Sequence, residues 1–205
     1  MRLLLVRHGE TEHNRTGIVL GRKDVPLNDL GLRQAAALEF ALAEEKIDAI
    51  YASPLQRTLQ TAKAIATPHE LTVAMDDRLM EMDVGELEGM TGLEMREKHP
   101  ELMANWGGPN GPSYKMPGSD ETLTTVQARS RQAIEAITAA HSDGAVVVVS
   151  HNFVILVTLA WMLNIELVDF RRLRQSVAAI SSVEIKDSSV QVITLNDTCH
   201  LRGIG

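Results

Sequence analysis

Short apolar runs and longer amphipathic stretches alternate along this chain. Residues 3–6 form a compact apolar run suited to a strand buried on both faces. Asn28 is placed to cap a helix over residues 30–45, with Leu32, Ala35, Ala36 and Phe40 at helical spacing as its apolar stripe. Residues 49–52 predict a second strand. Ser53 followed by Pro54 reads as an N-cap and a proline at the first helical position, opening a helix whose inner face carries Leu55, Leu59, Ala62 and Ile65. A third strand is expected over 71–75.

Thr91 and Glu94 match a capping box and predict a short helix that stops before Pro100. Residues 105–119 hold four glycines, three prolines and a tyrosine, which predicts a long surface loop. A helix over 122–142, a central strand over 145–149 with four consecutive valines, and an apolar helix over 153–163 come next. Residues 179–185 and 190–195 read as an antiparallel pair joined at 187–189. Strand–helix alternation implies an α/β fold: a single domain over 1–205, three layers (α/β/α), with a mostly parallel central sheet and helices on both faces. The stretch at about 80–120 is expected to be a lid-like insertion.

Sites in such sheets form at the carboxyl ends of strands. Three ends here are unusually polar. The first strand runs into Arg7 and His8, the second into Ser53 and Arg57, and the valine-rich strand into Ser150, His151 and Asn152. Arginine repels a cation and has no acceptor, so two arginines beside two histidines do not suit a metal; they suit a dianionic phosphate. Arg57 lies early in its helix, where the dipole disfavours a cation, and that misplacement favours an anion-binding role. A metal site sketched from His8, Glu10, Glu12 and His13 is set aside because Arg7 adjoins it. No metal and no cofactor is expected.

Composition sharpens this picture in two ways. A formal net charge of −7 over 205 residues argues against nucleic acid or an anionic membrane as partner, so phosphate must be held by a local cationic cluster. The single cysteine, Cys199, excludes an internal disulfide framework, and with no apolar run long enough to span a bilayer and no signal-like N-terminus the expected location is cytoplasmic. Cys199 is also isolated, and no nucleophilic-serine elbow or phosphate-binding lysine loop is present, which leaves histidine as the nucleophile.

These motifs occur together and in order. Arg7-His8-Gly9-Glu10 with Thr11, Glu12 and Asn14 resembles the signature of the histidine phosphatase superfamily, the phosphoglycerate mutase-like fold. Gly21 with Asp24, Val25, Pro26, Leu27 and Gly31 continues the resemblance. So do Ser53-Pro54-Leu55-Gln56-Arg57-Thr58, Glu81, the Gly85–Leu87 stretch with Glu88 and Gly89, Pro117-Gly118, Glu121, Ser150-His151 and the tail from Leu195 to Leu201.

The resemblance implies a metal-independent phosphatase. His8 would accept the phosphoryl group, Arg7, Arg57 and His151 would hold its oxygens, and Asn14 would donate a further hydrogen bond. Glu81 would serve as acid and then base; Asp83, Glu86 and Glu88 compete for that role on position. Leu20, Gly21 and Asn152 join the implied phosphate and substrate contacts. His13 and Leu20 stand where the family usually carries tryptophan and glutamine. Val84 stands where the phosphoserine-specific branch carries a histidine. Arg22, Lys23, Tyr114 and Lys115 are candidate contacts for a substrate carboxylate, while Met80, Met82, Met90 and Met95 are read as ordinary packing in preference to an adaptable substrate pocket.

The implied partner is a small phosphorylated metabolite: phosphoserine, α-ribazole phosphate, or a phosphoglycerate-like or sugar phosphate. A homodimer through an edge strand is admitted by the resemblance. The alternatives are mutase-type phosphoryl transfer, and a phosphohistidine phosphatase or binding role toward a signalling protein.

Overall fold

A computed structural model describes residues 1–186 and 189–204, apart from the side chain of Met103. Six strands form one sheet: β1 (Arg2–Arg7), β2 (Ala49–Ala52), β3 (Val73–Met75), β4 (Ala145–Ser150), β5 (Ile180–Lys186) and β6 (Ser189–Asp197), in the order β3-β2-β4-β1-β5-β6. The first four run parallel; β5 pairs antiparallel with β1 and with β6. The expected turn at 187–189 lies largely outside the described residues.

Seven α-helices accompany the sheet among the described residues: α1 (Glu12–Thr16), α2 (Asp29–Leu42), α3 (Gln56–Ala66), α4 (Gly92–Lys98), α5 (Pro100–Asn105), α6 (Leu123–Ala140) and α7 (Asn152–Met162). The side-chain alternation of β1 and β4 divides the core. Leu4, Val6, Val147 and Val149 face α2 and α3 with Leu38, Ala62 and Ile65, whereas Leu3, Leu5, Val146 and Val148 face α6 and α7 with Ile134, Ile155 and Leu159. A third cluster under residues 82–116 joins Met82, Val84, Leu87, Leu102 and Met116 to Val126, Val154 and Phe170. Among the described residues, no helix is long and apolar enough to cross a membrane.

Several local expectations are corrected. The inner stripe of α2 is Gly31, Gln34, Ala35, Leu38 and Leu42, one position out of phase with the predicted one, and Phe40 is 86% exposed. Two polar or backbone needs set that phase: the Gln34 carboxamide accepts the Glu10 amide N–H at 2.8 Å, and Gly31 abuts the Glu10 carbonyl. Asn28 caps α2 as anticipated, accepting from the Gly31 N–H at 2.8 Å.

Ser53 is not a helix cap. Helix α3 begins later, after Leu55, and its first N–H is met by the Asp24 carboxylate at 2.7 Å. The capping box at Thr91 and Glu94 is present, and α4 stops at Lys98. However, Pro100 then starts α5, where the sequence pattern predicts no element, and this helix runs to Asn105, the first residue of the expected loop. The remainder of that loop is a run of tight turns, with a short 3-10 helix at Gly111–Ser113.

The observed phase of α2 is testable by urea denaturation. Leu38→Ala is expected to destabilise the protein by about 2–5 kcal/mol, whereas Phe40→Ala should leave the midpoint nearly unchanged.

Candidate active site

The loop after β1 is stapled from several directions. The Gly9 N–H donates to Thr61 Oγ1 at 3.1 Å, the Asn28 amide donates to Glu10 Oε1 at 2.8 Å, and the Asn28 N–H donates to the Glu10 carbonyl at 3.0 Å. A Cβ at Gly9 would sit 2.6 Å from the Gly31 carbonyl, and one at Gly31 2.0 Å from that of Glu10. Only two glycines facing each other allow α2 to press on this loop.

His8 is held at the centre of this arrangement and is 3% exposed. Its Nδ1 lies 2.7 Å from the Gly9 carbonyl. A carbonyl only accepts, so Nδ1 carries the proton and the Nε2 lone pair is bare. Burial, then Arg7 and Arg57, hold the imidazole well below its usual range, so the ring is neutral at neutral pH.

His151 lies beside it, ring centroids 5.2 Å apart. The Arg57 Nε–H donates to His151 Nδ1 at 3.3 Å, which puts the His151 proton on Nε2, 2.8 Å from Ser53 Oγ. Burial, then Arg57, His8 and Arg7 in turn, push His151 down as well. The fully buried Arg57 further donates to the carbonyls of Lys23 at 2.9 Å and Gly21 at 2.7 Å, so three of its five N–H groups are spent.

Arg7 donates through one terminal nitrogen to the Gln175 carbonyl at 2.7 Å and to Asn152 Oδ1 at 3.2 Å, while its Nε is buried with no protein partner. Asn14 is oriented by the capping box of α1: its Oδ1 accepts from the Thr11 N–H and hydroxyl, which leaves the amide N–H groups free. Glu81 is 4% exposed, and burial raises its carboxyl above the ordinary range despite the Met82 and Phe153 N–H groups and Arg57.

Arg7, His8, Asn14, Glu81 and Asn152 all line one cavity of about 290 Å³. Leu20 and Val84 line it too. Arg57 and His151 form a layer behind that floor rather than part of it. Gly21 serves through its carbonyl, and a Cβ there would lie 2.7 Å from the Met82 carbonyl. The carboxylate-reading candidates lie elsewhere. Arg22 pairs with Glu121 at 2.9 Å, Lys115 with Asp120 at 2.7 Å, Tyr114 packs on the third cluster, and the His13 and Lys23 side chains are absent from the cavity lining.

Of the four methionines read as packing in preference to a substrate pocket, Met82 and Met95 line the cavity, together with Met116. Of the other competing acids, Glu88 binds the Gly21 and Lys23 N–H groups and Asp83 accepts from Gly85, so neither lines the cavity.

Residues that sequence reasoning missed are mostly supports. Arg129 donates to the carbonyls of Arg78, Met80 and Glu81 and pairs with Glu121, and Glu121 in turn accepts the Asp83 N–H at 2.6 Å. Arg171 also lines the cavity. Nothing in a helical or strand pattern distinguishes these arginines from solvated ones. Among the described residues, no three His, Cys, Asp or Glu side chains are grouped to hold a metal ion.

Comparisons with known proteins identify the family and the fold. The family described as histidine phosphatase superfamily (branch 1) matches residues 3–198. The chain is 34% identical over 202 residues to phosphoserine phosphatase 1 of Hydrogenobacter thermophilus, covering 98% of this chain and 94% of that one. It is 34% identical over 169 residues to a glucosyl-3-phosphoglycerate phosphatase of Mycolicibacterium vanbaalenii, covering 80% and 75% respectively. Among solved structures, Bacillus stearothermophilus YhfR superposes with a TM-score of 0.90 at 27% identity, over 98% of each chain.

Proton NMR of the imidazole rings checks the electrostatics. Both His8 and His151 are expected to stay neutral as pH falls through 6.5 and to protonate only well below it. Arg57→Met should move both titrations upward, because it removes a positive neighbour from each.

Proposed function

Because the chain belongs to the histidine phosphatase superfamily (branch 1), we propose that it hydrolyses small phosphomonoesters through a phosphohistidine formed on His8 Nε2. The observation that carries the reading is the Nδ1–Gly9 bond, which leaves a bare nitrogen lone pair on a neutral ring at the floor of the cavity.

In the first step Nε2 attacks phosphorus and the phosphorus–oxygen ester bond breaks. The Glu81 carboxyl, whose proton affinity burial raises, gives its proton to the leaving oxygen. In the second step water attacks phosphorus, Glu81 takes the water proton, and the phosphorus–nitrogen bond breaks to release phosphate and restore His8. Arg7, with its unpaired Nε, and the free amide N–H groups of Asn14 are assigned to the phosphoryl oxygens. The family resemblance implies that Arg57 and His151 hold those oxygens as well. Their position behind His8 supports a different emphasis: Arg57 supplies positive field and retains two N–H groups, and His151 orients Arg57.

Residues 80–120 are read as the lid, since Met82, Val84, Leu87, Met95, Leu102, Trp106 and Met116 roof the cavity. Relatives named for phosphoserine and glucosyl-3-phosphoglycerate support a small phosphorylated metabolite as substrate. A homodimer through an edge strand, β3 or β6, and a cytoplasmic location belong to the same reading, supported by the family resemblance and by the lone exposed thiol of Cys199.

Phosphate release from alkyl phosphates in EDTA is expected to persist in the native protein and to fall on the order of 10³-fold or more in His8→Ala. Equal rates in the two would refute the proposal. Glu81→Gln should lose about 10²–10⁴-fold on alkyl phosphates. With p-nitrophenyl phosphate, whose leaving group needs no proton, the same variant should give one burst of nitrophenol and then stall at the phosphoenzyme. Because the first step needs Glu81 protonated, native kcat/KM should decline as pH rises through the raised pKa of that carboxyl.

A further inference from the structure

Beyond its polar floor the cavity runs between apolar walls formed by Val84, Met95, Leu102, Trp106, Met116 and Phe153. Val84, Leu102 and Met116 are at most 4% exposed and belong to the packed third cluster. Trp106 meets Phe153 edge-on at 6.0 Å, so the two aromatic walls brace each other. The methionine side chains give the walls an adaptable surface.

These walls offer no carboxylate or amide to an amino acid, and no row of hydroxyl acceptors to a sugar. The lining carboxyl, Glu81, already has the protons of the Met82 and Phe153 N–H groups and its own catalytic task. An ammonium carried into this space would lose its hydration without replacement, and a carboxylate would find a partner only in Arg171, whereas apolar surface gains by leaving water. The lysines and the arginine that sequence position suggests as carboxylate readers, Lys23, Lys115 and Arg22, lie outside the cavity.

Among the described residues, Arg171 is the one cation on the apolar side of the lining, and its guanidinium rests 5.6 Å from the centroids of both Trp106 and Phe170. Seated on two rings, it extends the apolar wall with its stem, while the residue as a whole remains exposed to solvent.

We infer that the organic half of the preferred substrate is bulky and apolar: a phosphomonoester of a long-chain or aromatic alcohol, favoured over phosphoserine, phosphoglycerate and sugar phosphates. This rests on the phosphatase reading above and deepens it.

The test is a series of ethyl, butyl, hexyl and 2-phenylethyl phosphates, whose leaving alcohols are chemically alike, set against O-phosphoserine and 3-phosphoglycerate. The expected kcat/KM rises about three- to fourfold per buried methylene, with hexyl and phenylethyl phosphates at least about tenfold above the two carboxylated esters. Arg171→Met should preserve that order, and Met116→Gln should flatten the chain-length slope.

A flat or falling series overturns the inference. So does a preference for phosphoserine or 3-phosphoglycerate that collapses in Arg171→Met, which would make Arg171 a carboxylate reader. Calorimetry of the native protein with ethyl-, butyl- and hexylphosphonate separates this from the hydrolase reading. Affinity that climbs with chain length sustains the apolar pocket even where no ester is turned over, and affinity that does not climb refutes it.

Discussion

The buried guanidinium of Arg57 is the interaction on which the site's geometry depends. Taking a cation wholly out of water costs several kcal/mol unless its N–H groups find partners. Here the partners are His151 Nδ1 and the carbonyls of Gly21 and Lys23. Meeting that need pulls the 21–24 segment against α3, where Asp24 accepts the first N–H of the helix. The same segment donates its Gly21 and Lys23 N–H groups to the two oxygens of Glu88, which ties it to residues 81–89. One desolvated cation therefore links His151, the 21–24 segment and, through Glu88, the cover of the cavity. Burial is the main reason both imidazoles stay neutral, and the Arg57 charge adds to it beside that of Arg7.

Glu81 is held by a complementary arrangement. Its side chain is desolvated, but its backbone is gripped by Arg129 and Arg22, both of which pair with Glu121. Glu121 closes the loop by accepting the Asp83 N–H. The cations satisfy the backbone carbonyl and the Glu121 carboxylate, not the Glu81 carboxyl. Glu81 thus stays near positive charge in general while, among the described residues, no guanidinium binds it directly, which lets burial dominate its proton affinity. A salt bridge to Glu81 itself would have driven the shift the other way.

How much of this is legible in the sequence depends on the constraint each residue answers to. The strands, the order of elements and the placing of Arg7, His8 and Asn152 on one cavity are readable, because valine-rich runs and polar residues at strand ends report backbone-level constraints, whereas Asn14 and Glu81 are reached only through the family resemblance. The phase of α2 is not. Its inner face includes Gly31 and Gln34, which serve a close approach and a hydrogen bond to the loop after β1 rather than hydrophobic burial. Ser53 resembles a cap, since serine before proline is a strong local signal. Its hydroxyl is instead spent on His151, a partner 98 residues away. Helix α5 is hidden because a proline ordinarily ends a helix and a stretch rich in glycine and proline comes directly after it, yet Pro100 occupies the one helical position that tolerates it. The supporting roles of Arg129 and Arg171 are contacts across the fold, and no local pattern encodes them.

The apolar walls of the cavity and the chemistry at its floor are not separate properties. Met82 and Phe153, which help enclose the cavity, also supply the N–H groups nearest the Glu81 carboxyl, and their side chains keep water from it. The low polarity that disfavours a hydrated leaving group is the same low polarity that raises the proton affinity of Glu81 and keeps His8 neutral. In the proposed mechanism, a wall made polar to admit an amino acid or a sugar would readmit water, return Glu81 toward an ordinary carboxylate and weaken it as the acid. Selectivity for the organic half of the ester and competence at the phosphoryl half are therefore set by one set of side chains. An acidic protein handles a dianion here because the cations that matter are few, desolvated and aimed inward, where the net charge of −7 on the whole chain has little reach.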